Sequence, residues 1–290
     1  MFDNIFAAIE KWMRELLTGM VESNMSTMFT DVNEKTSEIA AQVGRTPQNW
    51  NSSVFSMIQN LSESVVVPIA GIIITLVLCY ELISMLTERN NLHDVDTWMF
   101  FKYFVKAWVA IYLVSNTFTI TMAVFDVGQS VVNSASGIIN GETAIDVSSL
   151  SMQMQAAMAT MEIGELVVLA LETFLVSFCM KIMSVVITVI VYGRMIEIYL
   201  YTSLAPILFA TMSNREWGHV GTNYFRGLFA LAFQAFLMMV CVAIYAALIS
   251  SVRISSNMHS ALIGVAAYTV ILCFSLMKTG SLSKQIFGSH

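Results

Sequence analysis

Charged residues are scarce in this chain of 290 residues: Asp, Glu, Lys and Arg make up 12% of it, against 57% for hydrophobic residues. Soluble domains carry about 25% charged residues, so this composition excludes an ordinary soluble domain. A chain this apolar indicates a polytopic membrane protein. The formal net charge of −6 gives no global signal for a surface that wraps nucleic acid.

The chain is also poor in residues that form cross-links or hold metals. Its 4 cysteines all fall inside apolar runs, which is typical of small buried hydrophobes and not of a disulfide framework or metal site. There is no Walker motif or Gly-rich phosphate loop, so no enzyme activity, cofactor or metal is expected, and only bound structural lipids are left open. The histidines are scattered and are interpreted as surface or interface residues: His93, His219, His259 and His290.

Residues 1–63 are more polar than the rest of the chain. From Phe2 to Met20, apolar residues recur every three or four positions with charges opposite, which predicts an amphipathic helix. Such a helix lies in the membrane interface or packs on a protein surface, and both possibilities stay open. Charges throughout the stretch argue against a secretory signal peptide. We predict that residues 1–63 form an N-terminal, extracytoplasmic helical region.

Residues 64–290 are predicted to form a transmembrane helical domain. The run from Ser64 to Leu86 exceeds the ~20 residues that cross the hydrocarbon. The predicted fold class is therefore all-α, a polytopic helical membrane protein with about five transmembrane helices. Residues 126–163 contain no Lys or Arg and are predicted to be an extracytoplasmic loop. The other four apolar runs lie at about 98–126, 165–192, 227–249 and 261–277.

Basic residues are unevenly distributed among the connections. With five crossings, the short connections of one side hold only Arg253, and the positive-inside rule then places the N-terminus outside and the C-terminus in the cytoplasm. The protein is thus expected in the cytoplasmic (inner) membrane. A sixth crossing by residues 195–212 is the alternative. The basic residues of the other side are Arg89, Lys102, Lys106, Arg194, Arg215, Arg226, Lys278 and Lys284.

Three charges fall in or beside the third apolar run: Glu165, Glu172 and Lys181. At about 100° per residue, Lys181 points away from the face that the two glutamates share, so Glu172 and Lys181 cannot pair within one helix. An ionised group at the bilayer centre costs at least ~2.5 kcal/mol, so each should meet another helix, another subunit or water. Inter-helix pairing and the lining of a conduit both remain open.

Residues 193–226 combine apolar residues with features that lipid does not favour. Arg194 and Glu197 are three apart and are expected to pair on one helical face. Pro206 removes a backbone donor and disfavours helix at Ala205, which predicts a kink or break. A broken helix at membrane depth needs protein cover. The stretch is therefore predicted to be a kinked or re-entrant hairpin on the cytoplasmic side.

One set of residues within 193–248 carries a resemblance: Arg194, Glu197, Tyr199, Pro206, Arg215, Glu216, Trp217, Gly221, Tyr224 and Gln234. With them, this stretch resembles the TrbL-like polytopic membrane subunit of conjugative type IV secretion systems, in the version found in Gram-positive conjugative elements. The stretch is about a fifth of the chain, and the rest matches in layout only. The resemblance implies that these residues serve structure and assembly.

The resemblance also implies a function. It implies a non-enzymatic channel or scaffold subunit that works as a homo-oligomer and helps to pass DNA and protein across the cytoplasmic membrane. Its implied partners are the secretion ATPases, the coupling protein and the extracytoplasmic subunits. The alternative is a small-molecule or ion transporter or channel that uses Glu172 and Lys181. A toxin-like or immunity-related membrane protein is a third hypothesis.

Overall fold

A computed structural model describes residues 2–87, 97–139, 147–214, 216–252 and 258–289 of the chain. Within these residues all regular structure is helical and no strand occurs, which confirms the predicted all-α class. A π-helical turn, Ser62–Val66, joins the helix that ends at Leu61 to the helix that begins at Val67. The helices are α1 (Phe2–Val43), α2 (Pro47–Trp50), α3 (Ser52–Leu61), α4 (Val67–Thr87), α5 (Thr97–Ser115), α6 (Thr117–Ile139), α7 (Val147–Met158), α8 (Ile163–Ser203), α9 (Ala205–Thr211), α10 (Gly218–Ser250) and α11 (Met258–Ile286).

Helices that are long and apolar enough to cross a membrane number five in the described part of the chain, as predicted. Among the five candidate spans, α10 is the most buried: 56% of its apolar stretch is buried inside the protein, whereas only 11% of the α5 stretch is buried. Large apolar side chains such as Trp108 and Phe178 are exposed, as expected where lipid is the solvent. The five stretches are Ser52–Thr87, Thr97–Ser115, Ile163–Ser203, Gly218–Ser250 and Met258–Ile286.

The second apolar run, predicted as one span over about 98–126, is divided between α5 and α6 at Asn116. The Thr117 hydroxyl donates to the carbonyls of Leu113 and Val114, both at 2.8 Å. Hydroxyls that bond back to the preceding turn bend helices, which accounts for the division. The described parts of the 126–163 segment are largely helical, as α6 and α7. Its extracytoplasmic position stays a prediction.

The chain divides into two compact units. Unit 1 comprises Met1–Val43, Ser134–Val191 and Met238–Lys278, and unit 2 comprises Gly44–Asn133, Tyr192–Leu237 and Thr279–His290. The predicted division at residue 63 rests on a change in polarity along the sequence and on the predicted start of the membrane domain. The contacts within the chain do not test it. Helices α6, α8, α10 and α11 contribute residues to both units.

Unit 2 is built around the short apolar helix α9, which packs against α4 and α5. Ala205, Phe209 and Ala210 of α9 are buried with Ile74 of α4 and Val114 of α5. All are apolar, and among membrane helices such contacts stabilise the unit mainly through close van der Waals packing. Protein therefore covers the helix that contains Pro206.

Unit 1 is organised around α1, a single helix of 42 residues that is longer than the predicted amphipathic segment. Along α1, the Arg14 side chain donates to the Met161 carbonyl at 2.8 Å, and Asn24 Nδ2 donates to Thr173 Oγ1 at 3.5 Å. Because both contacts advance along the two chains together, α1 runs parallel to the first part of α8. The buried face of α1 is apolar and consists of Val21, Met25, Met28, Phe29, Val32, Ile39 and Val43.

Candidate functional site

The predicted break in the 193–226 stretch is present. Helix α8 ends at Ser203, Leu204 separates it from α9, and Pro206 lies in the first turn of α9. Proline has no N–H to bond to the carbonyl four residues earlier, and its ring clashes there, so α8 cannot continue. The first turn of a new helix tolerates proline because its N–H groups have no intrahelical partner. The predicted helix break is thus confirmed, within unit 2, whereas the position of this stretch on the cytoplasmic side stays a prediction.

Arg194 is buried, with 7% of its surface exposed. Its Nη2 donates to the carbonyl of Leu231 on α10 at 3.4 Å, while Nε has no hydrogen-bond partner among the described residues. The predicted ion pair with Glu197 is wrong, although both residues are described. Glu197 instead accepts from Lys284 Nζ on α11 at 2.9 Å, at the half-exposed side of the helix. Arg194 is therefore a buried cation with incomplete hydrogen bonding.

Tyr199 of α8 contacts both ends of the short helix α2 within unit 2. Its hydroxyl donates to the Pro47 carbonyl at 2.6 Å, and its ring lies 6.0 Å from that of Trp50. The side chain is buried, so the hydroxyl needs this partner. Trp50 also meets Tyr192 edge-on at 5.4 Å. The sequence interpretation did not single out Trp50, although a lone tryptophan in a polar segment was the available signal.

A second pair of tyrosines closes the hairpin. The ring of Tyr224 on α10 stacks on that of Tyr201 on α8 at 4.8 Å, and the Tyr224 hydroxyl donates to the Tyr201 carbonyl at 2.9 Å. Phe209 of α9 packs edge-on against Tyr224 at 6.0 Å. Tyr224 was predicted to serve structure and assembly, but its contact with Tyr201 was not predicted. Together the three rings hold α8, α9 and α10 in one geometry.

Gly221 lies at a close approach of α10 to the end of α9. A Cβ atom at this position would lie 2.5 Å from the Leu208 carbonyl oxygen and 2.2 Å from Cγ of Met212. The second clash could be relieved by a flexible side chain, but the first involves backbone. Only glycine therefore allows this packing distance.

Gly221→Ala is expected to lower the free energy of unfolding by about 1–3 kcal/mol, the usual cost of overpacking. Gly193→Ala on α8 is the matched control, because a Cβ there meets nothing within 4 Å. In that open helical position, alanine should be neutral or stabilise by up to about 1 kcal/mol. Thermal unfolding of the two variants in one detergent measures the difference. Equal melting temperatures would contradict the close approach.

Asn214 stabilises the turn that leads into α10, a contact that the sequence interpretation did not predict. Its Oδ1 accepts from the backbone N–H groups of Glu216 at 2.7 Å and Trp217 at 3.0 Å. Asparagine is favoured in such turns because its side chain can accept from backbone N–H groups two and three residues further on. The Glu216 carboxylate accepts from the Tyr80 hydroxyl of α4 at 3.0 Å, and Trp217 is exposed. Arg215 lies outside the described residues.

Gln234 links α10 to α11 within unit 2. Its Nε2 donates to Thr279 Oγ1 at 3.4 Å, and Oε1 has no partner among the described residues although the side chain is buried. Nearby, the Ser283 hydroxyl donates to the Ala230 carbonyl at 2.5 Å. Polar contacts between spanning helices are worth about 0.6 kcal/mol on average, so this pair contributes modestly to stability.

The three charges of the third apolar run are not brought together. Glu165 accepts from the backbone N–H of Glu162 at 3.1 Å, a local contact at the start of α8. Glu172 contacts His259 of α11, so its predicted partner on another helix is found. Lys181 is exposed and forms no ion pair with a described residue. No group of three His, Cys, Asp or Glu in the described parts could hold a metal ion.

Comparison with protein families decides the relationship. A family model described as TrbL/VirB6 plasmid conjugal transfer like protein matches residues 32–206, more than half of the chain. The chain belongs to this family. Searches of curated proteins and of solved structures each found no match. A TrbL/VirB6-like protein with five candidate spans is a multi-pass membrane protein with a role in conjugal transfer, which is a type IV secretion process.

The family match and the resemblance of residues 193–248 rest on different parts of the chain and overlap only over residues 193–206. The shared residues contain the buried arginine, its neighbours and the helix break. The resemblance is thus confirmed mainly by sequence outside the stretch that suggested it. Arg194, Glu197, Tyr199 and Pro206 lie inside the matched TrbL/VirB6-like region, and Arg215, Glu216, Trp217, Gly221, Tyr224 and Gln234 lie beyond it.

Proposed function

We propose that this protein is a channel and scaffold subunit of a conjugative type IV secretion machine. It acts as a homo-oligomer in the cytoplasmic membrane and helps to pass DNA and protein substrates, without enzymatic activity or a cofactor of its own. The family match over residues 32–206 is the observation that carries this proposal. The N-terminus lies outside and the C-terminus in the cytoplasm, following the positive-inside rule.

The partners in this proposal are further copies of the chain, membrane lipids and the other secretion subunits, including the ATPases, coupling protein and extracytoplasmic components. Arg194 supports a role for the hairpin in assembly, because a buried cation with an unpartnered Nε is costly to keep for stability alone. The transporter alternative needs Glu172 and Lys181 to act together. No described contact joins them, and Glu172 is already engaged by His259.

Deletion of the gene from a donor cell is expected to reduce conjugal transfer to background, and expression of the wild-type chain in trans should restore it. Membrane fractionation in the same cells checks that the chain is made and inserted. The purified protein in nanodiscs or mild detergent should have the mass of a stable oligomer. Normal transfer without the gene, or a monomer under all such conditions, would contradict the proposal.

A further inference from the structure

The first half of α1 carries a stripe of exposed apolar side chains. They recur every three or four residues, and each lies within about 60° of Ile9 around the helix axis. Their exposed fractions range from 46% to 67%, although all are large. The charged residues from Glu10 to Glu15 lie at least about 100° from Ile9. We call six residues the α1 apolar stripe: Ile5, Phe6, Ile9, Trp12, Leu16 and Met20.

Unit 1 packs against the other side of α1. The buried residues of the second half, such as Val21 and Met25, lie at least about 100° around the helix axis from Ile9. Arg14 also points away from the stripe, and it donates to the Met161 carbonyl at 2.8 Å. A single copy of the chain therefore leaves the α1 apolar stripe uncovered.

The α1 apolar stripe lies at the end of unit 1 where α8 begins. Arg14 contacts Met161, two residues before the start of α8 at Ile163, and α7 packs against α1. Since α1 runs parallel to the first part of α8, the residues before Arg14 extend beyond the beginning of α8. In the proposed topology this end of α8 is extracytoplasmic, so most of the stripe faces water.

An apolar surface of this size in water requires a partner. Six large side chains that are exposed by about half amount to on the order of 600 Å² of apolar surface, the upper end of what monomers keep exposed. Standard protein interfaces bury about 800 Å² per partner, so the stripe supplies most of one.

A lipid surface is a poor partner for the stripe. An interfacial helix lies in the plane of the membrane and has Lys and Arg enriched on its polar face. The axis of α1 instead follows the first part of α8, which is a candidate span. Residues 4–20 are also balanced in charge, with Lys11 and Arg14 against Glu10 and Glu15. A protein partner therefore fits the stripe better.

We propose that the α1 apolar stripe packs against the same stripe of neighbouring copies, so that the first halves of α1 form a parallel helical bundle on the extracytoplasmic side. The inference deepens the proposed homo-oligomer and rests on it. Phe6 and Met20 widen the seam by one position, as in helices that face the core of a bundle. Four residues alternate spacings of four and three, the heptad pattern of helices that pack side by side: Ile5, Ile9, Trp12 and Leu16.

Orientation and charge both allow this packing. Copies of a membrane protein share one orientation, so the α1 helices of a cyclic oligomer are parallel. The stripe contains no charged residue, so its contact with a second stripe sets no like charges face to face. Arg14 is on the far side of the helix, so its contact with Met161 is kept. The seam is short, but anchoring in one membrane raises the effective concentration of the helices.

Disulfide cross-linking between copies of the full-length protein tests this contact. Ile9→Cys and Leu16→Cys are the test variants. The matched control is Lys11→Cys, which is also exposed in one copy but lies about 160° around the helix from Ile9. Each protein is oxidised in donor membranes with copper phenanthroline, and the products are identified by mass. The background retains wild-type transfer and has alanine in place of four residues: Cys79, Cys179, Cys241 and Cys273.

Two cysteines join only when their Cα atoms come within about 7 Å, so Ile9→Cys and Leu16→Cys should form covalent dimers at least about tenfold more than Lys11→Cys. Equal cross-linking of all three variants would indicate random collision and would overturn the proposal. Cross-linking of the stripe cysteines to a different protein, or to nothing, would overturn it too.

Trp12→Glu, added to Ile9→Cys, tests whether apolar burial holds the contact. Because burial of an unpaired carboxylate is costly, dimer formation should fall at least about tenfold, whereas the added Lys11→Glu should leave it unchanged. Trp12 is 61% exposed in one copy, so its replacement removes little packing within unit 1. Undiminished cross-linking with Trp12→Glu would contradict a contact through the stripe.

Native mass in nanodiscs, measured on the same proteins, separates this inference from the proposed function. An oligomer whose stripe cysteines do not cross-link would contradict the inference and leave the proposed homo-oligomer in place. A monomer would contradict both.

Discussion

Arg194→Met should leave the protein at least as stable as the wild type and abolish oligomer assembly and conjugal transfer. The guanidinium is buried, its bond to the Leu231 carbonyl is long at 3.4 Å, and its Nε has no partner among the described residues. Replacing a poorly satisfied buried charge by an apolar side chain of similar volume is neutral or stabilising by about 1–4 kcal/mol. Thermal unfolding measures the stability of the variant, and its native mass in the same detergent measures assembly.

Arg194→Lys is the matched variant for this prediction. It keeps the charge but loses the planar guanidinium, whose donors have fixed directions. If assembly requires that geometry, the lysine variant should also fail to assemble, whereas a requirement for charge alone predicts partial rescue. The opposite result would be a methionine variant whose melting temperature is several degrees lower and whose conjugal transfer falls in proportion to its folded fraction. It would show that Arg194 contributes to stability alone.

Tyr224→Ala should lower the free energy of unfolding by about 3–5 kcal/mol, the range for removing a large buried aromatic side chain. The ring is 4% exposed, stacks on Tyr201 at 4.8 Å and packs edge-on to Phe209 at 6.0 Å. Its loss opens a cavity where α8, α9 and α10 meet. Transfer should fall with it, because the hairpin can no longer hold one geometry.

Two control variants test whether the effect of Tyr224→Ala comes from its buried ring. One removes only the hydroxyl, and the other removes an exposed aromatic ring elsewhere. Tyr224→Phe removes only the hydroxyl that donates to the Tyr201 carbonyl at 2.9 Å, and should cost about 0.5–1.5 kcal/mol. Tyr112→Ala removes an aromatic ring that is 54% exposed on α5, and should change the melting temperature little. Equal melting temperatures for Tyr224→Ala and Tyr112→Ala would contradict the claim that the cluster of three aromatic rings stabilises the hairpin.

The sequence interpretation was most successful where one physical property dominates. Apolar runs of spanning length are unambiguous because hydrocarbon tolerates few polar groups, and the five candidate spans follow from them. The break before Pro206 was predictable because the missing N–H acts within one helix turn. Both rest on local chemistry that no distant contact can change.

Pairing was predicted less well, because it depends on which helices meet. Arg194 and Glu197 are three apart, and sequence spacing favoured an ion pair. In the structure, Arg194 turns toward α10 and Glu197 toward Lys284, which is remote in sequence. The contacts of Trp50, Tyr201 and Asn214 were not predicted for a related reason, since they involve neighbours that only folding provides.

Composition and apolar periodicity by themselves determined that this is an all-α membrane protein with about five spans and a helix break before Pro206, because each of these follows from the free energy of a segment in its solvent. Only the tertiary structure decided that Glu197 pairs with Lys284 and that α1 runs beside α8. Those outcomes depend on contacts between residues far apart in the chain. Their free energies are set by helix packing, which no short segment encodes.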